Sequence, residues 1–207
     1  MTTATTPISP RTLGVFGRLG RWFGSEHFGI ENADFMTLAK GLSSGYLPIS
    51  GVMISDRVAE VLSSGIDFNH GYTYSGHPAA CAVAIENIRI LKEEKLVERV
   101  RNETGPYLAK RLQELLDHPL VGEVRNVGLM GAIELVKDKK ARKTFEPVGD
   151  VGTQCRDHCF ANGLVMRATK DTMLISPPLT WGKADIDEFM RLAIIALDLT
   201  AKDVGKA

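Results

Sequence analysis

One lysine in this chain has the neighbours that carbonyl chemistry needs. Residues 34–46 read DFMTLAKGLSSGY, and Lys40 closes a short apolar run where glycines and serines take over. Phe35, Met36, Leu38 and Ala39 predict a buried strand of about five residues, and residues 41–45 the turn after it. Lys40 therefore falls at the C-terminal end of a strand, the edge where α/β folds bind ligands. An amine held there among apolar neighbours is desolvated, which lowers its pKa and frees its lone pair to attack a carbonyl and form a Schiff base. A lysine before a glycine at a strand end also serves as a solvated cap. A P-loop is excluded, because Gly41 and Leu42 follow the lysine where that motif needs Ser or Thr.

A second group of candidates lies in residues 68–80, FNHGYTYSGHPAA. Residues 69–77 predict a loop, and Pro78 opens a long helix whose apolar residues recur at spacings of three and four. Thr73 and Ser75 stand ahead of that helix. Hydroxyls and free backbone N–H groups at a helix start make an anion site. His70 and His77 suggest metal or acid–base work, but with no acidic cluster nearby they read as hydrogen-bonding loop residues. Arg167 interrupts an apolar strand predicted over 164–168, so it must turn outward or bind an acid. Arg18, Arg21 and Trp22 fall on a glycine-punctuated turn and read as a solvated loop anchored by one aromatic.

The elements that must position these groups follow in order. Residues 48–55, alternating into Val52, Met53 and Ile54, predict a strand and 56–62 a short helix, so the lysine turn is held between two strands. From 92 to 117 the pattern is helical, divided at Gly105 and Pro106, with leucines and valines on one face and charges opposite. Beyond His118 and Pro119 come short strands over 121–124 and 128–136, a basic turn over 137–143, a helix over 148–162 closed by Gly163, and strands over 164–168 and 173–176. A final helix over 183–199 is capped by Asp185. A smaller α+β domain accordingly begins near Asp117.

The 207 residues are 44% hydrophobic, ample for one core and a second small one. With 25 basic and 25 acidic residues the formal charge is zero, which argues against nucleic acid or an anionic membrane as partner. Cys81, Cys155 and Cys159 lack paired spacing and suit reduced thiols; no metal site is implied. No apolar run approaches the roughly 20 residues needed to span a bilayer, so a cytoplasmic protein is expected. Residues 1–13, MTTATTPISPRTL, read as a disordered leader.

Taken in order, FGRLGRWFGSEHFGI, DFMTLAKGLSSGYLPISGVMIS, FNHGYTYSGHPAACAVAIENI, VGLMGAIELV and NGLVMRATKDTMLISPPL resemble the class III pyridoxal-phosphate aminotransferases of fold type I. The likeness runs from about residue 16 to 198 and is strongest to the branch that moves amino groups from ω-amino acids, amines or polyamines to pyruvate. It implies an α/β fold, with 14–116 part of the large cofactor-binding domain and 117–207 the small C-terminal α+β domain. It implies that pyridoxal 5'-phosphate is bound by Lys40, that Tyr72 and Thr73 cap the cofactor phosphate of the neighbouring subunit of a homodimer, and that Arg167 grips the substrate carboxylate. A ping-pong exchange between an amine donor and a keto acid acceptor follows, with Arg167 swinging aside for neutral or cationic donor tails.

The sequence departs from the family at one place. An Asp–Glu pair that serves the cofactor's pyridine nitrogen is expected before the FGR block, and Pro10 and Arg11 stand there instead. The family's preceding half has no counterpart, so the chain reads as a C-terminal fragment with impaired activity. The alternatives are a non-catalytic remnant acting as a dimer partner or interaction module, or a related aminomutase.

Overall fold

The computed structural model describes residues 10–11, 16–30, 33–65 and 67–206. The leader expected over 1–13 lies outside them, apart from Pro10 and Arg11. By packing, the chain divides into two units: Arg21–Val97 with the segment ending at Gly17, and Glu98–Ala207 with Arg18–Gly20.

The first unit is built on a three-stranded sheet, β1 (Pro10–Arg11), β2 (Phe35–Leu38) and β3 (Gly51–Ile54), in that order. β2 runs parallel to β1 and antiparallel to β3. The strand expected to be buried is only half-buried along its length, and every residue of β3 is exposed, with Val52 at 58% and Met53 at 49%. The physical reason is that, among the described residues, no second apolar layer covers these short strands. A short helix α1 (Gly24–His27) precedes β2, and α2 (Asp56–Ser63) follows β3. The Asp34 carboxylate accepts from Ser55 Oγ and from two nitrogens of Arg57, tying the start of β2 to the start of α2. Those hydrogen bonds, Arg57 first, hold the Asp34 carboxyl below the usual range. The long helix α3 (Pro78–Glu93) opens on proline as expected, and His77 caps it by accepting the Ala80 N–H at its Nδ1.

The second unit is a four-stranded antiparallel sheet covered by helices. β4 (Val121–Val127), β5 (Met130–Leu135), β6 (Arg167–Thr169) and β7 (Thr172–Ile175) assemble in the order β4-β5-β7-β6. Before them the chain stays helical through α4 (Leu96–Arg99), a π turn (Val100–Thr104), α5 (Gly105–Gln113) and a 3-10 turn (Glu114–Asp117). The break expected at Gly105 and Pro106 is thus a change of pitch. Gly105 is required there, because a Cβ would lie 2.5 Å from the Val100 carbonyl oxygen and 3.1 Å from Gly128 Cα. Leu108, Leu112 and Leu115 reach the core formed by Ile133, Leu135, Met173 and Ile175 of the sheet. Packing therefore groups the chain from Glu98 onward, ahead of the change in sequence texture near Asp117.

α6 (Asp150–Ala161) and α7 (Lys183–Asp203) complete the core through Cys155, Cys159, Ile186, Met190 and Leu197. Asp171, buried in the β6–β7 turn, accepts the N–H groups of Gly149 and Gly152 at 2.9 Å each and so caps the start of α6. At the other end Gly163, φ +81, closes the helix, with Gly163 N–H bonded to Phe160 and Leu164 N–H to Cys159. Asp185 accepts the Gly182 N–H at 2.8 Å, the cap read from the sequence. α7 outruns its expected end at 199 because Thr200 and Ala201 continue the buried face. Cys155 and Cys159 are buried one helical turn apart, and the Cys155 hydrogen bond together with burial pushes the Cys159 thiol up.

Candidate functional site

Lys40 occupies the place its sequence predicts. β2 ends at Leu38, and Lys40 opens a 3-10 turn, Lys40–Leu42, with φ +51, an uncommon value for a side-chain-bearing residue. Two contacts fix that turn. Phe16 packs so closely beneath it that a Cβ on Gly41 would fall 2.6 Å from Phe16 Cβ. From α3, Asn87 Nδ2 donates to the carbonyls of Gly41 and Leu42 at 2.9 and 3.0 Å, while its Oδ1 accepts from Ser44 Oγ at 2.6 Å. Ser43, 1% exposed, donates to the Leu47 carbonyl at 2.6 Å and closes the loop on its far side. The desolvated setting expected for the amine is not found: Lys40 is exposed, because the turn stands at the rim of a sheet with one strand on either side.

Tyr72 and Thr73 lie in the exposed loop ahead of α3. The Ser75 N–H bonds to the Tyr72 carbonyl, and the rings of Tyr72 and Tyr74 meet edge to face with centroids 6.4 Å apart. One N–H at the start of α3, that of Ala80, is taken by His77, so the helix start offers an anion less than the sequence suggests. α3 nevertheless serves both candidates. Its first residue ends the Thr73 loop, and its Asn87 holds the Lys40 turn. Arg167 is the first residue of the edge strand β6, exposed and opposite Leu174 on β7; it belongs to the other unit.

An exposed primary amine on a fixed turn and a hydroxyl-bearing loop before a helix are a donor set that fits a cofactor carrying a carbonyl and a phosphate. An acidic partner for its ring is not supplied at Pro10 and Arg11, which pair with Phe35 and Met36 of β2. Among the described residues no cluster of His, Cys, Asp or Glu could hold a metal ion, and no helix is long and apolar enough to cross a membrane.

Sequence reasoning missed Asn87, although one amide in the apolar run AVAIENI is a legible signal for a polar contact. Arg18 is a correction. It is half-buried and donates from Nη1 to Ser176 Oγ, and burial lowers its pKa, so it is not a solvated loop residue. Trp22 does anchor its turn, packing edge-on to Phe16 beneath the Lys92 ammonium.

The family model "Aminotransferase class-III" matches residues 13–197, and the chain belongs to that family. Its members depend on pyridoxal 5'-phosphate. The putrescine–pyruvate aminotransferase of Pseudomonas aeruginosa is 60% identical over 197 residues, which cover 95% of this chain and 43% of that protein. Gamma aminobutyrate transaminase 1, mitochondrial, of Solanum lycopersicum is 41% identical, covering 95% of this chain and 39% of its own length. The ω-transaminase of Pseudomonas jessenii, solved in complex with PMP, superposes with a TM-score of 0.86 at 39% identity, over 93% of this chain and 43% of that one. A transaminase solved with L-Ala gives a TM-score of 0.85 at 41% identity, over 91% of this chain and 45% of that one. The chain spans less than half the length of these relatives.

Proposed function

We propose that this chain serves a transaminase that moves an amino group from an amine or ω-amino acid to pyruvate or another keto acid. The observation that carries the proposal is the Lys40 turn, held by Asn87 at the end of β2 with its amine exposed. When bound, pyridoxal 5'-phosphate supplies an electron-withdrawing ring that stabilises charge at the substrate carbon. Lys40 Nζ provides the covalent anchor and, once released, takes and returns the proton at that carbon. Thr73 and Tyr72 hold the phosphate of a partner subunit in a homodimer, and Arg167 binds the acceptor carboxylate, the fork geometry of a guanidinium suiting that group. The 60% identity to a putrescine–pyruvate aminotransferase favours a diamine or ω-amino acid as donor.

In that enzyme residues 14–116 belong to the large domain and 117–207 to the small one. A cytoplasmic setting agrees with three free cysteines. As a separate 207-residue polypeptide the chain is expected to be impaired, because β3 exposes Val52, Met53 and Ile54 and Pro10 offers no acceptor to a ring nitrogen. The same exposed strand supports the second reading, a non-catalytic chain acting as a dimer partner. Alanine formation from pyruvate and putrescine distinguishes them, measured with the 207-residue chain and with a version extended by the N-terminal part of the Pseudomonas aeruginosa relative. We expect activity from the extended version far above that of the chain alone. Inactivity of both, with cofactor present, would contradict the transaminase reading.

A further inference from the structure

The outer face of the second unit's sheet carries Arg167, with Arg18 beside it. Strand register makes the argument. Arg167 pairs with Leu174, and residues directly opposite share a face. Met173 and Ile175 point to the core, so Leu174 and Ser176 lie on the outer face with Arg167. Ser176 follows two residues after Leu174, about 7 Å further along the strand. It is Ser176 Oγ that receives the Nη1 donor of Arg18. The Arg18 guanidinium therefore rests on the same face, one side-chain position from Arg167, within the reach of two long side chains that can converge on one small anion.

Charge balance strengthens the case. Arg125, also on this face, stands between Glu123 at 3.0 Å and Glu134 at 2.8 Å and is neutralised by them. Among the described residues neither Arg18 nor Arg167 has a carboxylate partner. Anchoring the segment does not need the Arg18 side chain either. The Arg18 carbonyl accepts the Leu129 N–H at 2.8 Å, and Gly128 sits so near that a Cβ there would fall 2.3 Å from that oxygen. The backbone docks the segment, and the half-buried guanidinium, with one side-chain bond to Ser176, keeps donors to spare.

We propose that Arg18, held by Ser176, is a second carboxylate-binding residue that works with Arg167 on the acceptor keto acid. Two guanidiniums give a monocarboxylate more charge-assisted hydrogen bonds than one, and keep part of the site in place when Arg167 turns away for a donor without a carboxylate. This rests on the assignment of Arg167 made above, and the experiment separates the two. Pyruvate binding to the 207-residue chain is followed by ligand-observed NMR at low salt, for the parent chain and for Arg18→Gln, Arg167→Gln, Ser176→Ala and Arg125→Gln, with thermal melts confirming that each is folded. The parent is expected to bind, with affinity falling as sodium chloride is added. Arg18→Gln and Arg167→Gln should each weaken binding by about tenfold, the loss of one hydrogen bond to a charged group. Ser176→Ala should weaken it less, and Arg125→Gln should leave it unchanged. Loss in Arg167→Gln with Arg18→Gln at the parent's affinity overturns the role of Arg18 and leaves Arg167 standing. Loss in Arg18→Gln alone overturns the assignment of Arg167 and with it the pair, and a parent chain that does not bind pyruvate overturns the pair as well.

Discussion

Asn87 is the residue on which the Lys40 turn depends most visibly, because its one amide group makes three hydrogen bonds to that turn. Replacing it with alanine leaves two half-buried carbonyls without their donor, at a local cost of about 1–3 kcal/mol. The expected outcome is faster amide exchange at Leu42 and Ser43, whose N–H groups bond to Ala39 and Lys40, with exchange in α6 unchanged. Equal exchange rates in the variant and the parent would show that Phe16 beneath Gly41 suffices to hold the turn. The place of Lys40 just past the end of a strand was legible from its own segment. Its exposure was not, since burial at a strand end depends on neighbours that its own segment does not encode.

At the scale of elements, the tightest joint is between α6 and the β6–β7 turn. Gly152 meets the turn with no room for a side chain: a Cβ would lie 2.0 Å from the Lys170 carbonyl oxygen and 2.9 Å from Asp171 Cα. Gly152→Ala must therefore push α6 away and break the bonds that Asp171 makes to Gly149 and Gly152. A loss of at least about 2 kcal/mol is expected, read from the urea midpoint. Most helices were legible, since Pro78, Asp185 and Gly163 carry boundary chemistry that the structure uses. The pitch change at Gly105 was not, because glycine and proline signal a break equally well whether the helix ends or merely rewinds. Gly128 lies against Gly105 there, where a Cβ would come within 3.1 Å of its Cα, a tertiary contact that the local sequence does not announce. Strand β6 likewise begins only at Arg167, as Leu164 and Met166 go to the core before pairing starts.

For the molecule as a whole, the first unit is open where the second is closed. β3 leaves Val52, Met53 and Ile54 exposed, whereas the second unit buries a continuous core from Val100 to Ala201. His118 ties the stability of that second unit to pH. Its ring, 11% exposed, accepts the Leu120 N–H at Nδ1 and lies 3.3 Å from Asp198, and burial lowers its pKa despite the carboxylate, with Lys139 acting in the same direction. A folded-state pKa below the unfolded value of about 6.5 means that the unfolded chain takes up the proton first as pH falls. Stability should be full above that value and decline below it. Urea midpoints at pH 8 and pH 5.5 measure the decline, and His118→Asn should remove part of it; an identical decline in the variant would assign it to other groups. The family was legible because five blocks of sequence agree in order. The role of Arg18 was not, because only folding brings residue 18 to residue 176.

The most direct measurement of the central claim is reduction of the cofactor-loaded protein with borohydride, followed by peptide mapping. Lys40 is held on a fixed turn with its amine exposed, so the pyridoxyl label is predicted on the peptide that contains Lys40, and it should vanish in Lys40→Ala. A label found instead on another lysine, such as Lys95 or Lys110, or a pattern unchanged in Lys40→Ala, would contradict the account.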